Sequence, residues 1–475
     1  MEAQRKNRKE VHLRALCITL AIGAVIWFIP SPVDLQEKAW HLFAIFVATI
    51  VGFIIKPLPM GGVAILSITA VVLTGTLKLE EALSGFQNTT IWLIVIAFFI
   101  SRGFIKTGLG NRIAYMFVKL FGRKTLGLSY SLLVSDLILS PAMPSNTARG
   151  GGIIFPIAHS LSRTFGSDPE NGTEKKVGSF LMQVAFQGVN ITSAMFMTAM
   201  AANPLAATLA HNAGVTITWT DWALAAIVPG LASLIVVPYF IYKVYPPEIK
   251  ETPAASEIAT EKLKEMGPLK KSEWSMIMVF LLILALWIFG GKLGIDATTT
   301  ALIGLSVLLL TSVLTWNDVK KEEGAWDTLV WFASLVMMAT FLNSLGMIPW
   351  FSHLMGTAVH GLPWIWALIA LALIFFYSHY FFASNTAHVS AMYAAFLGVA
   401  IVAGAPPMLA ALLLGFIGNL FGCLTHYGSG PAPVFFGSGY VPQDKWWLLG
   451  FSVSVIHLII WGVIGGLWWK VLGIW

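Results

Sequence analysis

Long apolar stretches recur along almost the whole chain. They lie near residues 13–30, 39–56, 60–77, 89–106, 127–160, 178–210, 222–244, 274–291, 296–316, 326–346, 364–402, 408–440 and 446–472. Most match the roughly 20 residues a helix needs to cross a bilayer. Composition agrees: 57% of the residues are hydrophobic and 11% are charged, about half the charged share of a soluble protein. These features define an all-α polytopic membrane protein. The net charge of +6 therefore gives no reason to expect a nucleic-acid partner, because in membrane proteins excess Lys and Arg mainly sets orientation. Cys17 and Cys423 lie in apolar segments, without metal-like spacing.

The basic start (Arg5, Lys6, Arg8, Lys9, Arg14) and the following apolar run resemble a signal sequence, but the run ends in Ile29-Pro30-Ser31-Pro32 with no small-x-small site. It reads as the first span. The stretches 127–160 and 364–402 are too long for one crossing, and each carries Ser-Asn-Thr at its middle. They read as re-entrant helical hairpins with the polar motif at the tip. The stretches 178–210 and 408–440 are interrupted by Asn203-Pro204 and by Gly428-Ser429-Gly430-Pro431, and read as broken helices.

With the N-terminus inside and both hairpins re-entrant, about eleven transmembrane spans remain. That arrangement puts 24 of the 29 Lys and Arg inside and four outside, with Arg149 left over, a strong positive-inside bias. Five crossings then separate the hairpins, so the first enters from the cytoplasm and the second from outside. The expected organisation is two inverted repeats, 1–244 and 274–475, joined by a cytoplasmic linker, 245–273, in which residues 254–266 could form a short amphipathic helix. Many secondary transporters are built this way. The duplication extends beyond the motifs: Ser145 and Ser384 are 239 apart, as are Trp92 and Trp331.

The motifs are Ser145-Asn146-Thr147-Ala148-Arg149 and Ser384-Asn385-Thr386-Ala387-His388. Helix ends at membrane depth carry unpaired N–H groups and partial positive charge, which favour anions. Ser145, Thr147, Ser384 and Thr386 add hydroxyls, and Asn146 and Asn385 add amides that can donate to a carboxylate. Taken singly, such residues could merely glue helices together. An arginine at mid-membrane costs roughly 2.5–3.5 kcal/mol on insertion scales. A substrate carboxylate, Asp136 or a backbone carbonyl could offset that cost for Arg149. His388 occupies the corresponding place in the second motif. In the broken helices, Thr198, Asn203, Thr425, Ser429 and Gly430 are best placed to complete the site. His211, His353, His360 and His457 read as interfacial or core residues. Gly150-Gly151-Gly152 lacks a following Lys-Ser or Lys-Thr, which excludes a P-loop. No metal cluster, nucleophile elbow or ATP motif is present, so neither an enzyme nor a cofactor is expected.

The run from Pro144 to Pro156 resembles the first signature of the divalent anion/sodium symporter family, and more narrowly its 2-oxoglutarate/malate translocator branch. The segments Phe382 to His388 and Asn419 to Tyr427 are similar to that branch's later motifs. The resemblance implies a homodimer in the lipid bilayer, each subunit having a scaffold and a mobile domain. It implies an elevator-type exchange of small dicarboxylate anions (2-oxoglutarate, malate, succinate) held by both Ser-Asn-Thr tips, in a bacterial cell membrane. Sodium-coupled di- or tricarboxylate symport and citrate/succinate antiport are the rival specificities. Arg149 and His388 follow the motifs as in the exchanger branch, which counts against sodium coupling. On this reading a fixed Arg149 cation balances a dianion, and the empty, charged site cannot return alone.

Overall fold

The structure is a computed structural model that describes residues 11–358, 361 and 363–475. Arg5, Lys6, Arg8, Lys9 and His360 lie outside the described residues. Nine helices among the described residues are long and apolar enough to cross a membrane. Three of these, Thr125–Ala142, Trp364–Phe381 and Asn385–Val402, are arms of the two hairpins. The remaining six, with the shorter apolar helices Leu13–Phe28, Met60–Leu73 and Ala297–Leu310 and the two broken helices, correspond to the eleven stretches counted as crossings from the sequence.

Polar residues just ahead of the apolar runs start several helices. Asn88 Oδ1 accepts from the N–H groups of Thr90 and Ile91, and Asp296 Oδ1 from those of Thr298 and Thr299, the usual N-cap arrangement. Thr298 then donates to the Thr89 carbonyl, so two capped starts share one corner. At the opposite end, a buried Arg112–Glu273 pair (2.6 Å) ties Leu109–Phe121 to the start of Lys271–Phe289. Arg112 also donates to Gly267 O (2.9 Å), which fixes the linker helix Pro253–Met266 against Leu109–Phe121.

The helices pack in two groups. In one, Glu323–Ser344 lies on Met60–Leu73 and Thr89–Thr107, with Glu37–Ile55 and Ala297–Leu310 alongside. In the other, Gly178–Met195 is the axis, contacting Trp219–Val244, Pro407–Leu420 and both arms of the first hairpin. All 18 residues of Gly178–Met195 are buried, as expected of a helix enclosed on every side. Buried tryptophans brace this group through their N–H groups: Trp222 donates to Ala194 O (2.9 Å) and Trp469 to Ala225 O (2.8 Å). Buried indoles need such partners. Lys271–Phe289, by contrast, buries few residues and leaves Met278, Leu281, Leu282, Ile288 and Phe289 exposed, a face suited to lipid.

Close backbone approach locks the first group. A Cβ on Gly85 would sit 2.0 Å from the Ala333 carbonyl oxygen. Gly85→Ala is therefore expected to destabilise the protein by about 1–3 kcal/mol, the usual cost of overpacking. A lowered melting temperature in detergent checks this.

One expectation needs correcting. The first broken helix does not break at Asn203-Pro204. Its first half ends at Met195, a short 3₁₀ turn at Met197–Ala199 lies in the break, and the second half runs Ala202–Asn212. Pro204 falls in the first turn of that half, where a helix needs no N–H. The second break agrees with the sequence: Pro407–Leu420 gives way to irregular chain through Pro431 before Ala432–Gly437.

Candidate anion site between two hairpin tips

Each Ser-Asn-Thr run begins a helix. Ser145 caps the helix starting at Asn146 by accepting from Ala148 N–H (3.1 Å), and Ser384 caps Asn385–Val402 by accepting from Ala387 N–H (3.4 Å). Both serines have extended backbone, and in both helices the leading N–H groups lack intrahelical acceptors.

The two tips meet at one cavity of about 180 Å³. The first tip supplies Pro144, Ser145, Asn146 and Thr147, and the second supplies Ser384, Asn385 and Thr386. The broken helices add Met200, Ala201 and Gly430. Phe98, Thr328 and Trp331 close it from the other packing group. No charged side chain is among these lining residues. The volume is below the roughly 300–1,000 Å³ of drug-sized pockets, so the space suits a small molecule. A larger cavity, about 810 Å³, is lined by Asn88, His211, Thr218, Lys292 and Asp296, and none of the motif residues reaches it. Convergence of both motifs, rather than size, marks the smaller one as the candidate site.

Gly430 permits the second break to approach the first tip. A Cβ there would lie 2.0 Å from Thr147 Oγ1. Gly150 plays a similar part behind the first tip, where a Cβ would stand 3.2 Å from Pro431 Cβ and from Val189.

Arg149 is placed differently from the expectation. It is fully buried and absent from the cavity wall. Its Nε donates to Asp136 Oδ1 (2.8 Å). Nη1 donates to the carbonyls of Met143 (2.7 Å) and Ala199 (3.0 Å), and Nη2 to Ser193 Oγ (2.9 Å) and Thr192 Oγ1 (3.4 Å). Thr192 also donates to the second Asp136 oxygen. All five guanidinium N–H directions are thus occupied by the protein, leaving none for a carboxylate ligand. Asp136 offsets the cost of burial, and Arg149 fastens the first hairpin to the first break.

His388 is also buried behind its tip, outside the cavity. Its Nδ1 meets His379 Nδ1 at 3.0 Å and its Nε2 meets Ser378 Oγ at 3.2 Å. Thr198 is turned away from the cavity, donating to Pro141 O and accepting from Trp219 Nε1 (3.0 Å). Asn203 bridges the two broken helices: its Nδ2 donates to Ser193 O (2.8 Å) and Phe196 O (2.9 Å), and its Oδ1 accepts from Asn419 Nδ2 (2.6 Å). Thr425 and Ser429 are buried with hydroxyls lacking a protein partner, and neither lines the cavity. Asn385 Nδ2 reaches Gly418 O and Asn419 O, both at 3.2 Å, tying the second tip to the second broken helix.

Of the candidate residues named from the sequence, Ser145, Asn146, Thr147, Ser384, Asn385, Thr386 and Gly430 come together on this cavity, whereas Arg149, His388, Thr198, Asn203, Thr425 and Ser429 lie outside its wall. Phe98, Met200, Ala201 and Thr328 join the wall from positions with no distinguishing local pattern. Trp331 was visible only as a repeat marker. Among the described residues no group of three His, Cys, Asp or Glu could hold a metal ion.

Comparison with known proteins bears on this geometry. Residues 10–475 match the family described as the sodium:sulfate symporter transmembrane region. The chain is 70% identical over 475 residues to YflS, a Bacillus subtilis (strain 168) protein named for malate transport, covering 100% of this chain and 99% of that one. It is 54% identical over 476 residues to the chloroplastic dicarboxylate transporter 1 of Spinacia oleracea, covering 100% of this chain and 84% of that one. Among solved structures, the YdaH transporter of Alcanivorax borkumensis superposes with a TM-score of 0.57 at 14% identity, covering 97% of each chain. At that identity the likeness concerns the fold alone.

Proposed function

Because the chain belongs to the sodium:sulfate symporter family, we propose that it is a membrane carrier that exchanges small dicarboxylates, malate and 2-oxoglutarate among them, without sodium. One observation carries the reading: both Ser-Asn-Thr tips line a single small cavity with no charged wall residue. Two helix N-termini converge there, each equivalent to roughly half a positive charge. Hydroxyls of Thr147 and Thr386 add donors, while the Asn385 amide is engaged by the Gly418 and Asn419 carbonyls, so a dianion is met by helix ends and hydroxyls rather than by a full cation.

The same geometry replaces the fixed-cation argument for obligatory exchange. Without cargo, the tips present donors that lack partners. Moving unpaired polar groups through a dry interface costs several kcal/mol each on transfer scales. A second anion removes that cost, so return loaded is faster than return empty.

The family description names sodium, which would here be a co-transported cargo. Met143 and Ala199 carbonyls, which could coordinate a hard cation, accept from Arg149, and the Gly428 carbonyl meets His379, which favours sodium-independent exchange. Behind the second tip, however, the side-chain oxygens of Asn190, Asn385, Asn419, Thr425 and Ser429 are buried without a protein partner, so the sodium arm of the counterflow test decides the coupling.

On this reading the halves 1–244 and 274–475 are inverted repeats. The group carrying the hairpins is the moving domain, sliding against the group that contributes Phe98, Thr328 and Trp331. The working unit is a homodimer in a bacterial membrane, with a cytoplasmic N-terminus, the orientation that the distribution of Lys and Arg supports.

Proteoliposome counterflow tests the proposal. Vesicles loaded with malate should take up labelled 2-oxoglutarate whether or not sodium is present, and empty vesicles should take up little. Sodium-stimulated uptake into empty vesicles would establish symport instead.

A further inference from the structure

We propose that His379, a residue outside both motifs, is a positioning residue that sets the cavity wall formed by the second break; the proposal rests on the dicarboxylate-carrier reading. Hydrogen-bond directions fix the tautomers of both histidines. His379 Nε2 lies 2.7 Å from the Gly428 carbonyl. A carbonyl only accepts, so that nitrogen carries the proton. In a neutral ring Nδ1 is then an acceptor. His388 must therefore donate through its own Nδ1, at 3.0 Å. That leaves His388 Nε2 to accept from Ser378 Oγ at 3.2 Å. One tautomer assignment satisfies all three contacts, and it forms a single directed chain from Ser378 through His388 and His379 to Gly428.

Aromatic rings hold the chain rigid. His379 stacks on Phe421 at 3.9 Å, and His388 stacks on Phe382 at 4.2 Å and on Phe421 at 4.5 Å. Both imidazoles are fully buried. The two imidazoles face each other through their Nδ1 atoms, with the rings stacked.

The chain ends on the segment that matters for substrate. Gly428 stands two residues before Gly430, which lines the cavity against Thr147. Residues 424–431 have no regular helix to define their course. The second hairpin supplies neighbouring anchors: His379 holds Gly428, and the Tyr380 carbonyl accepts from Tyr427 Oη at 2.8 Å. Gly428 has no room for a side chain, since a Cβ would lie 2.8 Å from Thr425 Oγ1 and 3.0 Å from His379 Nε2. The second tip and the second break therefore present their parts of the cavity as one unit, and His379 is the joint.

The test compares His379→Phe and His379→Ala, which remove the donor, with His379→Gln, whose amide N–H can occupy the Nε2 position. In malate counterflow the first two should raise KM about tenfold, the scale of one lost hydrogen bond, with the maximal rate within about twofold of wild type. His379→Gln should recover most of the affinity. Independently of any substrate, amide hydrogen exchange across 425–431 should be faster in His379→Phe and His379→Ala than in wild type and His379→Gln. An unchanged KM in the first two, a glutamine variant no better than phenylalanine, or unaltered amide exchange would overturn the role. Wild-type protein that fails to exchange malate would refute the carrier reading, while the amide-exchange comparison still decides the role of His379.

Discussion

Replacing Asp136 by alanine is expected to prevent accumulation of folded protein. The substitution leaves the Arg149 guanidinium buried, with its carboxylate gone and its carbonyl and hydroxyl partners alone to hold it. Breaking a buried ion pair from one side costs about 3–5 kcal/mol, against a total stability on the order of 5–15 kcal/mol. Arg149→Ala should fail in the same manner, because Asp136 then keeps only Thr192 and the Met143 and Ala199 carbonyls lose a donor. The double variant Asp136→Leu/Arg149→Met removes both charges at similar volume, so it should recover much of the monodisperse protein and still transport poorly, since the first tip is no longer fastened to the first break. Size-exclusion profiles and melting temperatures in detergent decide the matter. A residue that bound cargo directly would behave otherwise: Arg149→Ala would keep its melting temperature and lose only affinity. That result would restore Arg149 to the site.

Gly430→Ala is expected to lower counterflow about a hundredfold while leaving the melting temperature near that of wild type. The glycine is exposed, so the added methyl disturbs no core. It does collide with Thr147 Oγ1, 2.0 Å from the ideal Cβ position, and approaches Asn146 Oδ1 at 3.4 Å. The second break must then retreat from the first tip, and a displacement of about 1 Å at a binding site commonly costs about 10²-fold in rate. Thr147→Ala in the same background removes the obstructing oxygen and should return part of the activity. Undiminished counterflow by Gly430→Ala would mean that the second break and the first tip need not approach this closely.

The predictions at Asp136 and Gly430 differ in how they could have been foreseen. Asp136 was one of three candidate partners for Arg149 from sequence, because a buried guanidinium demands an acceptor but composition does not say which. Only the path of the first hairpin brings Asp136, Met143 and Ala199 around it. The break near Asn203-Pro204 was misplaced because proline is a strong local signal whose meaning depends on position: in a helix's first turn it starts a helix rather than ending one. Phe98 and Thr328 are ordinary span residues until the second packing group folds against the tips. His379 was invisible for the same reason, since its partner Gly428 is 49 positions away.

What the chain's own order of residues determined was local: which stretches are apolar enough to enter hydrocarbon, where polar islands interrupt them, and that two such islands are copies of one another. These follow from hydropathy and helix-end chemistry, which act over a few residues. What only the tertiary structure decided was pairing: that the two tips share one cavity, that the Arg149 and His388 side chains are enclosed by protein behind those tips, and that Asn203 meets Asn419 across 216 positions. Hydrogen bonds and ion pairs select partners by distance and direction in space, and those are properties of the packed helices rather than of any one of them.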